Sequence, residues 1–339
     1  MKILIGISGG VDSTYAALKL MDEGHTVVGA VLEMHGDTDV ASAVKAAERL
    51  SIPLVKIDCR DAFDNVVRTY FEGEYANGRT PNPCIVCNPE VKFRFLADYA
   101  RANGFDKIST GHYARIIEKD GRFAVARAKD STKDQTYMLY RLPQDILSIL
   151  VFPLADCIKT EVKEIAAARG IIEPEVKESQ DICFIPDNDY RRYLEERLGK
   201  FPPGAFIDKN GRFLGNHRGI TSYTVGQRKG LGISTGRRVF VSRIDPVRNE
   251  ITLFDSDNVT GSFEASSLVY SGIAELGVGE SIRADVKIRY RATPTPATVT
   301  AIDGGRVRIE IENPEALIAP GQSVVVYDGD RVLLGGFID

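Results

Sequence analysis

Three groups of residues in this 339-residue chain carry side chains fit for chemistry. The first is Gly6-Ile7-Ser8-Gly9-Gly10-Val11-Asp12-Ser13, where two hydroxyls and a carboxylate flank a glycine pair. The second is Thr80-Pro81-Asn82-Pro83-Cys84-Ile85-Val86-Cys87-Asn88, with two thiols three positions apart. The third is residues 178–185, where Cys183 stands among apolar neighbours. Glycines let a backbone approach a phosphate with no Cβ in the way, and free amides at a helix start favour an anion. Thiols act as nucleophiles, redox partners or metal ligands.

The surrounding elements must position these groups. Residues 2–5 (Lys-Ile-Leu-Ile) read as a short buried strand. Residues 11–22 read as a packed helix that Gly24 stops. The glycines therefore lie in a strand-to-helix turn. The run lacks the Lys-Ser/Thr ending of G-x-x-x-x-G-K-[ST], so no phosphate-gripping lysine is indicated, and it lacks the G-x-G-x-x-G order of a dinucleotide fold. Its S-G-G-x-D-S pattern resembles the pyrophosphatase-loop signature of enzymes that split ATP between the α and β phosphates. The plain alternative is a Gly/Ser turn.

Strands at 25–34, 54–58 and 107–111 alternate with helices at 41–50, 62–75 and 90–102, which argues for a parallel sheet with helices on both sides. Ligands then sit beyond the carboxyl ends of the strands. Met34 and Gly111-His112 lie at such ends, although core packing is an equal reading of Met34. Two prolines argue against regular structure at 80–88. Cys87 then stands at or just before a helix start, with Asn88 as its cap, where the dipole would stabilise a thiolate. The C-x-x-C pair reads as a redox dithiol, half a metal site or coincidence; a structural zinc wants four ligands, and there is no second pair. Local context makes Cys183 a buried structural thiol, as it does Cys59 and Cys157.

A hairpin is expected at 114–117 with 122–128, and Lys133-Asp134-Gln135 opens a helical stretch at 136–141 with Asp134 as a cap. From about residue 187 the alternation stops. Residues 190–198 form a charged helix, and Arg228, Lys229, Arg237 and Arg238 form a local basic cluster, either a phosphate-contacting surface or a solvated loop. Beyond residue 255 come short strands and hairpin turns, a small β-barrel or sandwich. Strand periodicity over 283–291 would put Lys287, Arg289 and Arg291 on one face, as a phosphate-contacting stripe or a charged edge.

The expected fold class is α/β: a doubly wound parallel sheet, a small central domain and a C-terminal β-barrel, with boundaries at 1–186, 187–255 and 256–339. A formal net charge of -4 gives no global nucleic-acid signature, so any such surface is a patch. No apolar run is long enough to span a membrane. The chain enters its first strand at once, leaving no room for a signal peptide. Five cysteines, an odd number, suit thiol chemistry in a cytoplasmic enzyme better than a disulfide framework.

Taken in order, the stretches 8–13, 80–88, 111–114, 133–135, 178–185 and 224–233, with Arg289-Tyr290 and Pro320-Gly321-Gln322, resemble the tRNA-specific 2-thiouridylases. These enzymes replace the C2 oxygen of the wobble uridine with sulfur. The resemblance implies an adenine nucleotide alpha-hydrolase-like catalytic domain. It implies that Gly6, Ile7, Ser8, Gly9, Gly10, Val11, Asp12, Ser13, Met34 and Gly111 hold ATP with Mg²⁺. Cys87 would be the nucleophile and Cys183 the persulfide carrier. Asn82, Pro83 and Cys84 would face the target base; His112, Lys133, Asp134, Gln135, Arg289, Tyr290 and Gln322 would touch tRNA at the anticodon loop. The implied partners are tRNAs with Lys, Glu and Gln acceptors and a sulfur-donor protein, either a cysteine desulfurase or a sulfur-relay protein.

One departure stands out: many members carry an acidic residue where Cys84 stands, and a thiol is a poorer base unless ionised. Cys84, Cys87 and Cys183 could instead hold a [4Fe-4S] cluster with an open iron. Rival readings are an amide-forming ligase with the same loop and a non-catalytic RNA-binding module.

Overall fold

The computed structural model describes residues 1–171, 182–233, 236, 238–255, 261–314 and 317–339. Residues 178–181 of the third motif and Arg237 lie outside these. Strand β1 (Lys2–Gly6) lies between β2 (Thr26–Glu33) and β4 (Lys107–Ser109), with β3 (Leu54–Asp58) beyond β2 and a short strand, Leu150–Val151, beyond β4. All pairings are parallel. Ile3, Leu4 and Ile5 are fully buried. Their alternation sends Ile3 and Ile5 into one core and Leu4 into another. The doubly wound sheet is thus as expected.

Helix α1 (Val11–Asp22) shares the Ile3/Ile5 core with the helix Lys159–Ala168, through Ala16, Leu20, Val162 and Ala166. On the other face lies a helical run with a five-residue turn, Pro83–Cys87, then Asn88–Lys92, then Phe93–Ala102. This corrects the expectation of irregular structure at 80–88. Pro83 occupies the first helical position, where its missing amide costs nothing, and Pro89 sits in the wide π-type turn. The cap is Asn82, not Asn88: its Oδ1 accepts from the Cys84 amide at 3.2 Å. Cys87 therefore lies inside the helical run rather than at its start.

Six strands between Ser262 and Ile338 close into an antiparallel barrel, through the pairing of Ser262–Tyr270 with Arg331–Ile338. The expected hairpin forms as Arg115–Lys119 with Arg122–Ala126, but it joins the barrel sheet through Ala126 and Arg331 rather than the parallel sheet. Its junction is polar and ordered: Arg122 donates to the carbonyls of Tyr270 and Ser271. The charged stripe at 283–291 is not formed. The strand ends at Lys287, which is buried, and it is an interior strand between Thr295–Ile302 and Ser323–Asp328. Between the two halves lie the helix Tyr190–Leu198, capped by Asp189, and a four-stranded sheet within residues 204–254.

Candidate active site

The Gly6–Ser13 turn is held open by its own hydroxyls. Ser13 Oγ accepts from the Ser8 amide at 3.2 Å and donates to the Gly10 carbonyl at 3.2 Å. Gly9 has φ +80, and a Cβ there would meet Ser42 at 2.5 Å. A Cβ on Gly111 would meet the Ser13 amide nitrogen at 2.6 Å. Glycine at both positions lets three segments converge at the start of α1. The N-cap, Gly10, has no side chain, so no side-chain cap competes for the first-turn amides. Ile7 and Val11 point into the core and offer only their backbone.

A cation completes this corner. Lys159, the first residue of the helix Lys159–Ala168, places Nζ 2.6 Å from both carboxylate oxygens of Asp12. Tyr113 OH donates to Asp12 Oδ1 at 2.9 Å, and Asp130 Oδ2 accepts from the Lys159 amide at 2.9 Å. The Lys159 side chain is 7% exposed. The motif itself indicated no lysine; the fold supplies one from 147 residues away.

Beyond Gly111, His112 rests against Phe93 and Phe152, with its Nδ1 2.7 Å from Thr110 Oγ1. Burial and the Lys92 ammonium keep it neutral. The same ammonium acts on Cys84, Cys87 and Cys183, and Cys87 shares one core with Ile182 and Phe184, the neighbours of Cys183. Cys87 is buried, its Sγ 3.8 Å from Met34 Sδ. Cys84 and Cys183 are open to solvent. Burial pushes the Cys87 thiol up to about 12 and the Cys183 thiol up to about 11, and Lys92 opposes both shifts. Crowding raises the Cys84 thiol as well, though its surface stays accessible. The dipole-stabilised thiolate expected at Cys87 is absent because the residue sits within the helical run and burial dominates.

Cys183 is not the buried structural thiol its apolar neighbours suggested. Phe184 takes the core position instead, with ring centroids 5.5 Å from Phe63, 5.4 Å from Phe71 and 5.4 Å from Tyr193. This aromatic socket turns the adjacent thiol outward. Cys59 is buried as expected, and Cys157 is partly buried.

Comparison with known proteins gives full-length matches. Residues 1–187 match the family described as the tRNA methyl transferase HUP domain, 191–255 its PRC-barrel domain, and 261–338 the aminomethyltransferase beta-barrel domain. The tRNA-specific 2-thiouridylase MnmA of Clostridium acetobutylicum is 40% identical, over 99% of each chain. The enzyme of the same name from Carboxydothermus hydrogenoformans is 41% identical over 100% of this chain and 97% of its own. That of Clostridium perfringens is 41% identical over 100% and 98%. The chain belongs to the tRNA-specific 2-thiouridylase family. Its HUP domain suits the nucleotide reading of the Gly6–Ser13 turn.

Several residues that the resemblance would place against tRNA or the target base are engaged inside the fold. Asn82 caps its helix and its Nδ2 lies 3.3 Å from Met138 Sδ; Pro83 is buried. Asp134 is buried, accepts from the Thr136 amide and hydroxyl, and lies 3.8 Å from Lys287 Nζ. Gln135 Oε1 accepts from the Tyr113 amide. Arg289 donates to the Leu317 carbonyl and packs on Gly226. Tyr290 lies 6.2 Å from the Tyr137 ring, and Gln322 donates to the Thr80 carbonyl at 2.7 Å. Lys133 is half-buried.

Among the described residues no group of three or more His, Cys, Asp or Glu side chains is arranged to hold a metal ion. Cys84, Cys87 and Cys183 as placed form no such group. No described helix is long and apolar enough to cross a membrane. Lys92 and Lys159 are the residues that sequence reasoning missed; each lies on a helical segment with no motif to mark it.

Proposed function

We propose that this chain transfers sulfur from a cysteine persulfide to C2 of the wobble uridine of tRNA, consuming ATP and releasing AMP and pyrophosphate. The observation that carries this reading is that Cys87 and both neighbours of Cys183, Ile182 and Phe184, pack in one core, in a chain whose Gly111 closes onto the Gly6–Ser13 turn. ATP lies over that turn, Met34 and Gly111. The uridine O2 attacks the α phosphorus and pyrophosphate leaves, its charge met by turn amides, serine hydroxyls and Lys159. Mg²⁺ would supply further charge neutralisation. Asp12 is the carboxylate at hand for it, but Lys159 occupies both of its oxygens here.

The terminal sulfur of a Cys183 persulfide then attacks C2, and AMP departs. Cys87 attacks Cys183 Sγ, the S–S bond breaks, and 2-thiouridine is released with a Cys87–Cys183 disulfide left behind. In the alternative order, Cys87 first displaces sulfide, which attacks C2, and the same disulfide remains. A base must be unstacked to reach such a site. Asn82, Pro83 and Cys84 would line it, with His112, Lys133, Asp134, Gln135, Arg289, Tyr290 and Gln322 shaping or contacting the anticodon loop. Residues 191–255 carry thirteen Lys and Arg against six Asp and Glu, a cationic island in an acidic chain that suits a phosphate backbone. We assign catalysis to 1–186, tRNA contact to 187–255 and support to the 256–339 barrel. The expected substrates are tRNAs with Lys, Glu and Gln acceptors, supplied with sulfur by a desulfurase or relay protein.

The test is anaerobic purification with iron and sulfide analysis beside a thiolation assay. Iron-free protein that thiolates tRNA with ATP supports the persulfide route. Activity that follows iron content replaces it with the [4Fe-4S] alternative. ATP-dependent amide formation without tRNA would point to a ligase.

A further inference from the structure

Cys84 is the thiol of the C-x-x-C pair that the proposed reaction leaves without a chemical step. It is exposed, whereas Cys87, three positions on along the same short helix Pro83–Cys87, is buried. That spacing puts both on one helix face. Cys183 is also exposed, and its neighbour Phe184 packs in the same core as Ile85 and Cys87 of that helix. After burial, Cys84 is the strongest influence on the Cys183 thiol, and Cys87 feels both other sulfurs. The remaining thiols stand elsewhere: Cys59 bonds the Ile57 carbonyl, and Cys157 the Pro153 carbonyl.

The persulfide route ends in a disulfide, one of whose sulfurs, that of Cys87, is shielded from external reductants. Exchange rates depend on access to the sulfur attacked. We propose that Cys84 is a resolving thiol, which moves this disulfide onto two exposed sulfurs and re-arms Cys87. The Cys84 thiolate attacks Cys183 Sγ; the Cys87–Cys183 bond breaks, and the electron pair leaves on the Cys87 sulfur, which takes up the proton Cys84 gave up. The exchange is redox-neutral. The product, a Cys84–Cys183 disulfide, joins two exposed sulfurs. An external dithiol then gives it two electrons and two protons, becoming a disulfide itself. The inference rests on the persulfide reading above.

The experiment loads the full-length protein with persulfide, allows one turnover with ATP and tRNA, quenches in acid and maps disulfides by fragmentation mass spectrometry. A steady-state assay with limiting dithiothreitol runs beside it. The wild type is expected to show a Cys84–Cys183 bond. In Cys84→Ser the bond is expected to remain Cys87–Cys183, and the ratio of the steady-state rate to the variant's own first-turnover rate to fall by about tenfold. More dithiothreitol should restore that ratio. A wild-type map showing only Cys87–Cys183, or a variant in which first-turnover and steady-state rates fall together, overturns the resolving role and leaves the persulfide route standing. A turnover that yields 2-thiouridine with every cysteine reduced overturns the persulfide route itself.

Discussion

Lys159 holds Asp12 in a two-oxygen ion pair at 2.6 Å, at the point where two helices begin beside the glycine turn. The pair places a compact, buried cation where a departing pyrophosphate would gather charge.

Replacing Lys159 with Ala is therefore expected to lower ATP-dependent thiolation by about a hundredfold or more. The cost in stability should be small, about 1 kcal/mol, because Asp12 is one-third exposed and keeps the Tyr113 hydroxyl. Pyrophosphate release and thermal unfolding measured together check this. A variant that releases pyrophosphate at the wild-type rate removes Lys159 from the reaction.

The buried thiols set an alkaline limit. Cys59 and Cys87 are both raised from 9.0 to about 12, chiefly by burial. The folded state thus binds more protons than the unfolded one between those values, so stability should fall as pH rises from about 9 to about 12. Below that window the two contribute no slope. Urea unfolding at stepped pH measures it, and Cys87→Ala should flatten the slope. At pH 8, iodoacetamide should modify Cys183 and Cys84 before Cys87, because both are exposed.

Phe184 is buried beside the exposed Cys183 and anchors the chain there. Phe184→Ala empties a socket among Phe63, Phe71 and Tyr193, and should cost about 3 kcal/mol of stability. Sulfur transfer should fall while tRNA-stimulated pyrophosphate release persists. Equal losses in both would mean that the socket serves the whole fold rather than the thiol.

The cationic island makes tRNA binding depend on salt. Arg228 and Lys229 are exposed. Replacing both with Ala should weaken binding and lower the slope of log affinity against log salt by about 0.7–0.9 for each phosphate left unneutralised. An unchanged slope would mean that these side chains do not meet phosphate.

What the sequence displays is mostly local. The apolar run Ile3-Leu4-Ile5, the glycine turn and the periodic helix behind it lie within about twenty positions of each other, so the nucleotide corner is legible there. The helix at 83–87 was hidden because Pro83 takes its first position, which tolerates proline, while Pro81 lies outside it, and because the cap, Asn82, precedes the first thiol by two residues. Lys159 was invisible since only the packing of Val162 and Ala166 against α1 brings it to Asp12. Cys183 misled for the opposite reason: its apolar neighbours are real core residues, and Phe184 in the socket is what leaves the thiol outside. Lys287 continues a convincing two-residue period, yet the strand ends there and its ammonium faces Asp134 across the junction with the barrel.

The most direct measurement is single-turnover analysis of Cys183→Ser with ATP, tRNA and a persulfide donor, reading pyrophosphate and 2-thiouridine in the same quenched samples, with Cys157→Ser as control. The expected result is pyrophosphate release without 2-thiouridine in Cys183→Ser, and near-normal yields of both in Cys157→Ser. Thiolation at the normal rate in Cys183→Ser would contradict the claim that the sulfur carried on this exposed thiol is the one delivered to the base.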